Sequence, residues 1–177
     1  QQWRARVAFL HRVDSTWPDL SDEALTNTLE HWLGPFVTGH SSLAQLRRVD
    51  LQAPLDSLLT WQQRQELSRL APTHITVPSG SHVRVDYEQG DSPVLAVRLQ
   101  EMFGCQDTPR IAGGRVPVMV HLLSPASRPV QVTKDLASFW RSAYQEVKKE
   151  LRGRYPRHHW PDDPLSAQPT NRTKRRT

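Results

Sequence analysis

The sequence has 177 residues with 37% hydrophobic and 23% charged side chains, a balance that permits one good-sized domain or two small ones. It contains no run of about 18 apolar residues, which excludes a membrane-spanning helix, and its start lacks the pattern of a signal peptide. Because it begins at Gln1 rather than with methionine, we expect it to be part of a longer protein. Cys105 is the single cysteine and cannot form an internal disulfide, which suits the cytoplasmic location that we expect.

Positive charge is concentrated at the C-terminal end of the sequence. Residues 1–127 carry 11 Arg and no Lys against 13 acidic residues, a net charge of −2. Residues 128–177 carry 12 Lys and Arg against 5 acidic residues, a net charge of +7, and the two parts sum to the overall +5. Such a segment can steer a polyanion towards the protein. The alternative is that it only keeps the protein soluble.

Apolar residues at helical spacing predict a helical subdomain over residues 1–72. Ser21 is placed to cap a helix that Gly34-Pro35 ends. Thr60 and Gln63 have the spacing of a capping box at the start of the last helix of this part. The apolar face of the Ser21 helix consists of Leu25, Leu29, Trp32 and Leu33. Further helices are predicted near Arg4, Ser42 and Leu55.

Residues 73–133 change to the period-two alternation of β-strands. Strands are predicted over 74–77, 82–87, 116–123 and 130–132, with a hairpin turn at Gly113-Gly114 and residues 109–112 as a possible fifth strand. Ser92-Pro93 resembles the start of a helix that continues through Leu95, Leu99 and Met102 to Gly104. A buried strand over 94–97 is the alternative.

The C-terminal part is predicted to be one long helix followed by an arm. Thr133 would cap the helix and Gly153 would end it. In the arm (residues 154–164), two prolines favour an extended chain that holds Tyr155 and Trp160 about 16 Å apart. Residues 165–177 are polar and basic, and we expect them to be disordered.

Basic and aromatic residues of the helix and the arm form the candidate nucleic-acid site, because Arg and Lys neutralise phosphates and aromatic rings stack on bases. The alternative is that Tyr155 and Trp160 dock the arm onto a protein surface. The candidate residues are Arg141, Lys148, Lys149, Arg152, Arg154, Tyr155, Arg157 and Trp160.

Motifs for catalysis are missing from the sequence. No glycine-rich phosphate loop, nucleophile elbow or H-E-x-x-H pattern is present. His158 and His159 are adjacent on a chain that we expect to be extended, so their side chains point apart, and Cys105 has no activating base that the sequence can name. We therefore expect no catalytic residue, no metal site and no cofactor in this chain itself.

Several stretches resemble one helicase family. They are residues 17–25, 72–80, 93–101 and 114–125, and the run from Arg128 to Thr133 that continues through Phe139-Trp140 to Gly153–Pro156 and Trp160-Pro161. Together they are similar to the C-terminal region of the HrpB family of bacterial ATP-dependent, DExH-box RNA helicases. The resemblance extends over about residues 3 to 165, and the basic Lys174–Arg176 also fits the family's tail.

The resemblance implies a parent enzyme with two RecA-like domains upstream, which would hold ATP and Mg²⁺ and move along RNA or another single-stranded nucleic acid. In related helicases the region after the motor contains a helical bundle and an oligonucleotide-binding (OB) barrel. The expected class is therefore α+β: a helical subdomain (1–72), a β-rich and possibly OB-like subdomain (73–133), the C-terminal helix and basic aromatic arm (134–164), and a disordered tail (165–177). The expected function is an accessory module that shapes the RNA path and braces the helicase domains in cis. A protein-docking module without RNA contact is the alternative.

Overall fold

Residues 1–71 fold entirely as helices and connecting turns in the computed structural model, which describes residues 1–172 of the chain. This helical part is one unit, and the chain from Pro72 onward is a second. No helix within residues 1–172 is long and apolar enough to cross a membrane. The helices of the first unit are α1 (Gln2–Val13), α2 (Asp22–Asn27), α3 (Leu29–Trp32), α4 (Gly34–Val37), α5 (Leu43–Leu46), α6 (Gln52–Asp56) and α7 (Trp61–Leu70).

Two of these helices begin as their sequences predict. The Ser21 hydroxyl accepts a hydrogen bond from Ala24 N at 3.2 Å, and Thr60 and Gln63 form the reciprocal bonds of a capping box. The single helix expected after Ser21 is broken at Thr28, because its hydroxyl bonds to the Ala24 carbonyl and offers the backbone an alternative to helical pairing. Gly34-Pro35 begins α4 instead of ending a helix, since proline is well accommodated in a first helical turn.

A buried arginine ties α1 to the end of α7. Arg6 is 7% exposed, and its Nε donates to the Ala71 carbonyl at 2.6 Å while its Nη2 donates to the Leu67 carbonyl at 3.4 Å. A helix C-terminus presents carbonyl groups without intrahelical partners and favours a cation. Arg6 therefore satisfies the end of α7 from inside the core.

We predict that Arg6→Met destabilises the chain by about 1–3 kcal/mol, because the buried Ala71 carbonyl loses its arginine donor, whereas the Leu67 carbonyl keeps its bond from Ala71 N. Equilibrium unfolding in urea measures the change. Arg12→Met, an exposed substitution on the same helix, is the control and should change the stability by less than about 0.5 kcal/mol. Equal stability of the two variants would show that Arg6 does not contribute through these carbonyls.

The second unit is built on a five-stranded sheet with the order β1-β2-β3-β6-β7, and a separate β4-β5 hairpin lies in the crossover between β3 and β6. Strands β3 and β6 run parallel and the other neighbours are antiparallel. The strands are β1 (His74–Thr76), β2 (His82–Asp86), β3 (Val94–Arg98), β4 (Arg110–Ile111), β5 (Val116–Pro117), β6 (Met119–Leu123) and β7 (Pro129–Thr133).

The sheet is open, and the OB-like barrel that the sequence suggested is not formed. Strands β1 and β7 are the two edges, and they do not pair with each other within residues 1–172. A barrel requires the sheet to close on itself. Here the five paired strands end in two free edges, so the β-rich part is an open mixed sheet in an α+β unit.

The helix predicted after Ser92-Pro93 is wrong, and the alternative strand is observed. Residues 94–98 form β3, the central strand, which pairs with β2 on one side and β6 on the other. Val94, Leu95 and Val97 are buried, and such a strand carries apolar residues almost continuously, which hides its period. A short 3₁₀ helix over Leu99–Met102 follows directly.

The predicted long C-terminal helix consists of two helices, α8 (Leu136–Ser142) and α9 (Tyr144–Arg154), which are separated at Ala143. The cap is Asp135 and not Thr133: Ser138 N donates to the Asp135 carboxylate at 2.9 Å. The Thr133 hydroxyl instead accepts from Asp135 N at 2.9 Å and so positions the capping residue.

The last arm residue and Thr170 of the predicted disordered tail are both bound to the rest of the second unit. Gly104 N donates to the Pro164 carbonyl at 2.9 Å, and Thr170 N donates to the Gln100 carbonyl at 3.0 Å. Backbone bonds of this kind depend on tertiary contacts, which the polar composition of residues 165–172 does not reveal. Residues 173–177, the rest of that predicted tail, lie outside the described residues.

Candidate nucleic-acid interface

An aromatic cluster fixes the orientation of α8 and α9 in the second unit. Phe103 and Tyr144 are fully buried, with ring centroids 6.3 Å apart in an edge-to-face arrangement, and Trp140 lies 5.5 Å from Tyr144. The Trp140 indole donates to the Cys105 carbonyl at 2.7 Å. Burial, with a smaller contribution from Asp107, raises the pKa of the Cys105 thiol and so favours its unreactive form.

Two basic residues of α9 lie on one exposed side of the helix. Gln145, Lys149 and Arg152 follow one another at i, i+4 and i+7, and these three exposed residues form what we call the cationic face. Glu150 lies on the other side of the helix, where it pairs with Arg154, and Glu146 lies between the two sides, three residues before Lys149. An open groove of about 500 Å³ follows the cationic face and is lined by Gln145, Lys148, Lys149, Arg152 and Gly153.

Lys148 does not lie on the solvated surface that its sequence position suggested. It is 9% exposed, and its ammonium forms an ion pair with the Asp162 carboxylate. The hydrogen bond from Lys148, together with its charge, lowers the pKa of Asp162. Lys148 borders the groove, but its charge is paired with Asp162, and this ion pair holds the arm.

The arm is folded against α9 and is not extended as predicted. The Tyr144 hydroxyl donates to the Pro161 carbonyl at 2.7 Å, and Gln145 Nε2 donates to the Asp162 carbonyl at 3.1 Å. With the Lys148–Asp162 ion pair, these bonds attach three residues of α9 to two adjacent arm residues. Burial raises the pKa of the Tyr144 phenol far above its usual value, so it stays a donor.

A tight turn brings the arm's aromatic residues together. His158 N and the Trp160 indole both donate to the Tyr155 carbonyl, at 3.1 and 2.9 Å. The His158 ring lies 6.1 Å from Tyr155 and 6.4 Å from Trp160 between ring centroids. The expected extended chain is wrong because Pro156 occupies the second position of this turn, where the fixed proline φ angle is equally favourable.

A second open groove, of about 650 Å³, shares one lining residue with the first. Arg152 borders both grooves, and Trp160, His158 and His159 contribute rings to the second. Burial, followed by the charges of Arg98 and Arg157, lowers the pKa of His158, which favours the neutral ring. The cationic face therefore lies next to a groove that combines aromatic rings with two acidic residues, Asp162 and Asp163.

A family model described as ATP-dependent helicase C-terminal, from HrpB proteins, matches residues 32–164. This chain belongs to the HrpB helicase C-terminal family.

Relatives of known name agree with this assignment and confirm the resemblance seen in the sequence. The ATP-dependent RNA helicase HrpB of Escherichia coli strain K12 is 51% identical over 159 residues, which is 90% of this chain and 20% of that protein. The crystal structure of the E. coli DExH-box NTPase HrpB superimposes with a TM-score of 0.86 at 48% identity, over 97% of this chain and 22% of that one. A structure of the E. coli DEAH/RHA helicase HrpB gives a TM-score of 0.70 at 45% identity, over 90% and 20% of the two chains. The chain thus spans about a fifth of the relatives' length.

In this HrpB-family module, the structure brings only some of the predicted site residues together. Lys149 borders the first groove, Trp160 the second and Arg152 both, whereas Arg154 pairs with Glu150 at 3.5 Å on the other side of α9. Tyr155 is half-buried in the turn, and exposed side chains are found at Arg141 and Arg157.

Three residues at or near these grooves were missed by the sequence reasoning. Gln145 precedes Lys149 by four residues, so helical spacing alone could have found it. His159, whose ring is 6.4 Å from Phe103 in an edge-to-face contact, had been assigned to an extended chain. Arg98, whose charge lowers the pKa of His158, lies in a stretch that the sequence predicts as a helix. No local pattern indicates where His159 or Arg98 lies in the fold.

We predict that Trp160→Ala destabilises the chain by about 1–3 kcal/mol, because the half-buried indole loses its packing and the bond to the Tyr155 carbonyl. Thermal and urea unfolding measure the loss. Trp61→Ala, which truncates an indole that is 70% exposed, is the matched control and should be close to neutral. If Trp160→Ala is as neutral as the control, the indole is free to act only on a ligand.

Proposed function

We propose that this module forms part of the RNA path of its parent helicase, with single-stranded RNA passing over the cationic face and onto the aromatic arm. The observation that carries the proposal is that Arg152 borders both grooves, which brings phosphate-binding side chains next to stacking rings. Nonspecific single-strand binding needs this combination of a cationic track and aromatic platforms.

ATP and Mg²⁺ belong, in this proposal, to the motor domains of the parent. The names of the relatives support that division: they are an ATP-dependent RNA helicase and a DExH-box NTPase, and this chain covers only 20% and 22% of their lengths. The module then contributes binding and not hydrolysis, because its contacts to phosphates hold the strand while the motor moves. The parent's activity and its RNA substrate are part of the proposal for the whole protein, which we place in the cytoplasm.

We predict that Lys149→Glu with Arg152→Glu weakens binding of single-stranded RNA whatever its sequence, and flattens the slope of log K against log salt by about 1.4, which is about 0.7 for each lost phosphate contact. Fluorescence anisotropy across a salt series measures both quantities.

The control for this experiment is the double reversal Arg47→Glu with Arg48→Glu, which changes the net charge equally on exposed residues of the helical unit. It should keep the wild-type slope. The proposal fails if both double variants behave alike, since only the overall charge would then matter.

Docking of the module onto the parent's helicase domains in cis is the second candidate function. The helical unit exposes large apolar side chains, with Leu43 exposed by 75% and Trp61 by 70%. Apolar surface of this kind is usually covered by a partner. About four-fifths of the relatives' length lies outside this chain, which supplies such a partner within one polypeptide. The exposed apolar residues of this unit are Leu29, Phe36, Leu43, Leu46, Leu51 and Trp61.

If the helical unit docks in cis, backbone amides of residues 43–61 should exchange hydrogen at least about tenfold more slowly in the full-length helicase than in the 177-residue chain, because a docked surface opens less often. Amides of the buried strand β3 serve as the internal reference and should exchange similarly in both. Identical exchange of residues 43–61 in both proteins would exclude docking through these helices.

A further inference from the structure

The Lys148–Asp162 ion pair joins a residue of the first groove to a residue of the second. Lys148 borders the first groove, Asp162 borders the second, and Arg152 borders both. The hydrogen bond and the charge of Lys148, with a smaller contribution from the charge of Arg152, lower the pKa of Asp162. The carboxylate is therefore an anion that is stabilised by two cations of the grooves.

The two partners of this ion pair differ in their exposure. The Lys148 side chain is 11% exposed, whereas the Asp162 side chain is 101% exposed, as in an extended peptide. The carboxylate thus lies on the solvent side of the ammonium and covers it. Water can solvate the carboxylate when it turns away, but a buried ammonium needs another anion in its place.

The arm is also held by bonds that do not involve this carboxylate. The Tyr144 hydroxyl donates to the Pro161 carbonyl, and Gln145 Nε2 donates to the main-chain carbonyl of Asp162. Both bonds end on backbone atoms, so they remain when the Asp162 side chain rotates about its Cα–Cβ bond. The ion pair can therefore open while Trp160, directly before Pro161, keeps its place in the arm.

We propose that Lys148 is a phosphate-binding position of the RNA path that Asp162 covers in the free protein, and that a phosphate of single-stranded RNA replaces the carboxylate. A phosphodiester, like a carboxylate, offers anionic oxygen acceptors to an ammonium. Lys149 and Arg152 border the same groove and attract the neighbouring phosphates. Asp162 then competes with RNA for Lys148 and lowers the affinity. The inference rests on the proposed function, because the phosphate belongs to the RNA of that path.

The test compares two asparagine variants of the 177-residue chain by fluorescence anisotropy with a short all-uridine RNA. Asp162→Asn removes the competing charge but keeps an oxygen acceptor near Lys148. Asp163→Asn is the matched control, because Asp163 borders the same groove but bonds to Leu165 and Ser166 instead. We expect Asp162→Asn to bind RNA at least about fivefold more tightly than wild type, because covering the position lowers the binding-competent fraction. Asp163→Asn should change the affinity by less than about twofold, as is usual for an exposed charge.

A third substitution tests whether the gain in affinity acts through Lys148. In a Lys148→Met background, Asp162→Asn should increase the affinity no more than Asp163→Asn does, because the position that the carboxylate covers has been removed. Melting temperatures show whether each variant is folded. If Lys148→Met does not fold, the two single asparagine variants decide.

Three results would overturn the inference and leave the RNA path intact. Equal effects of Asp162→Asn and Asp163→Asn would show that only the overall charge matters. Weaker RNA binding by Asp162→Asn would show that the carboxylate positions the arm and does not compete. A gain that persists in the Lys148→Met background would show that it does not act through Lys148.

Failure of the proposed function itself gives a different result, because none of the proteins then binds RNA. Inorganic tripolyphosphate, titrated by calorimetry, decides for Lys148 in that case. Binding to Asp162→Asn that is at least about fivefold tighter than to Asp163→Asn would support the phosphate-binding position. Equal or undetectable binding of tripolyphosphate to the two variants would overturn it.

Discussion

The buried rings of Phe103 and Tyr144 lie edge to face, and most features of the second unit depend on this contact. Phe103 follows directly after the 3₁₀ helix that ends the central strand β3, so the contact links the sheet to α9. Tyr144 is the first residue of α9, so burying its ring determines which side of the helix faces inward. Because the Tyr144 side of α9 faces inward, Lys148, which lies one turn further along, is buried. Lys149 and Arg152 lie on the outer side and are exposed.

The same contact explains why the arm is closely held. The Tyr144 hydroxyl lies at the edge of the aromatic cluster and donates to the Pro161 carbonyl. Pro161 directly precedes Asp162, which forms the ion pair with Lys148. A buried ammonium is unfavourable unless it is paired, so the Lys148–Asp162 ion pair and the arm conformation support each other. The folded arm then places Trp160 beside Arg152. The arrangement of the proposed RNA path therefore follows from the packing of the aromatic cluster.

Local sequence was sufficient where the structure depends on neighbouring residues. The Thr60–Gln63 capping box and the β1-β2 pairing are observed as expected, because capping and alternation are determined within a few positions. Sequence reasoning failed where tertiary packing decides. The sequence of buried β3 does not alternate between apolar and polar residues. Nothing in the sequence around Lys148 distinguishes it from a lysine on a solvated helix, because its partner Asp162 is brought close only by the fold.

Ultraviolet crosslinking of single-stranded RNA to the full-length helicase, with the modified peptides mapped by mass spectrometry, tests the central claim most directly. The account predicts crosslinked peptides from α9 and the arm, with the strongest signals around Arg152 and Trp160. Crosslinks that are abundant in the motor domains but missing from residues 144–164 would contradict it, and the module would then act by docking alone.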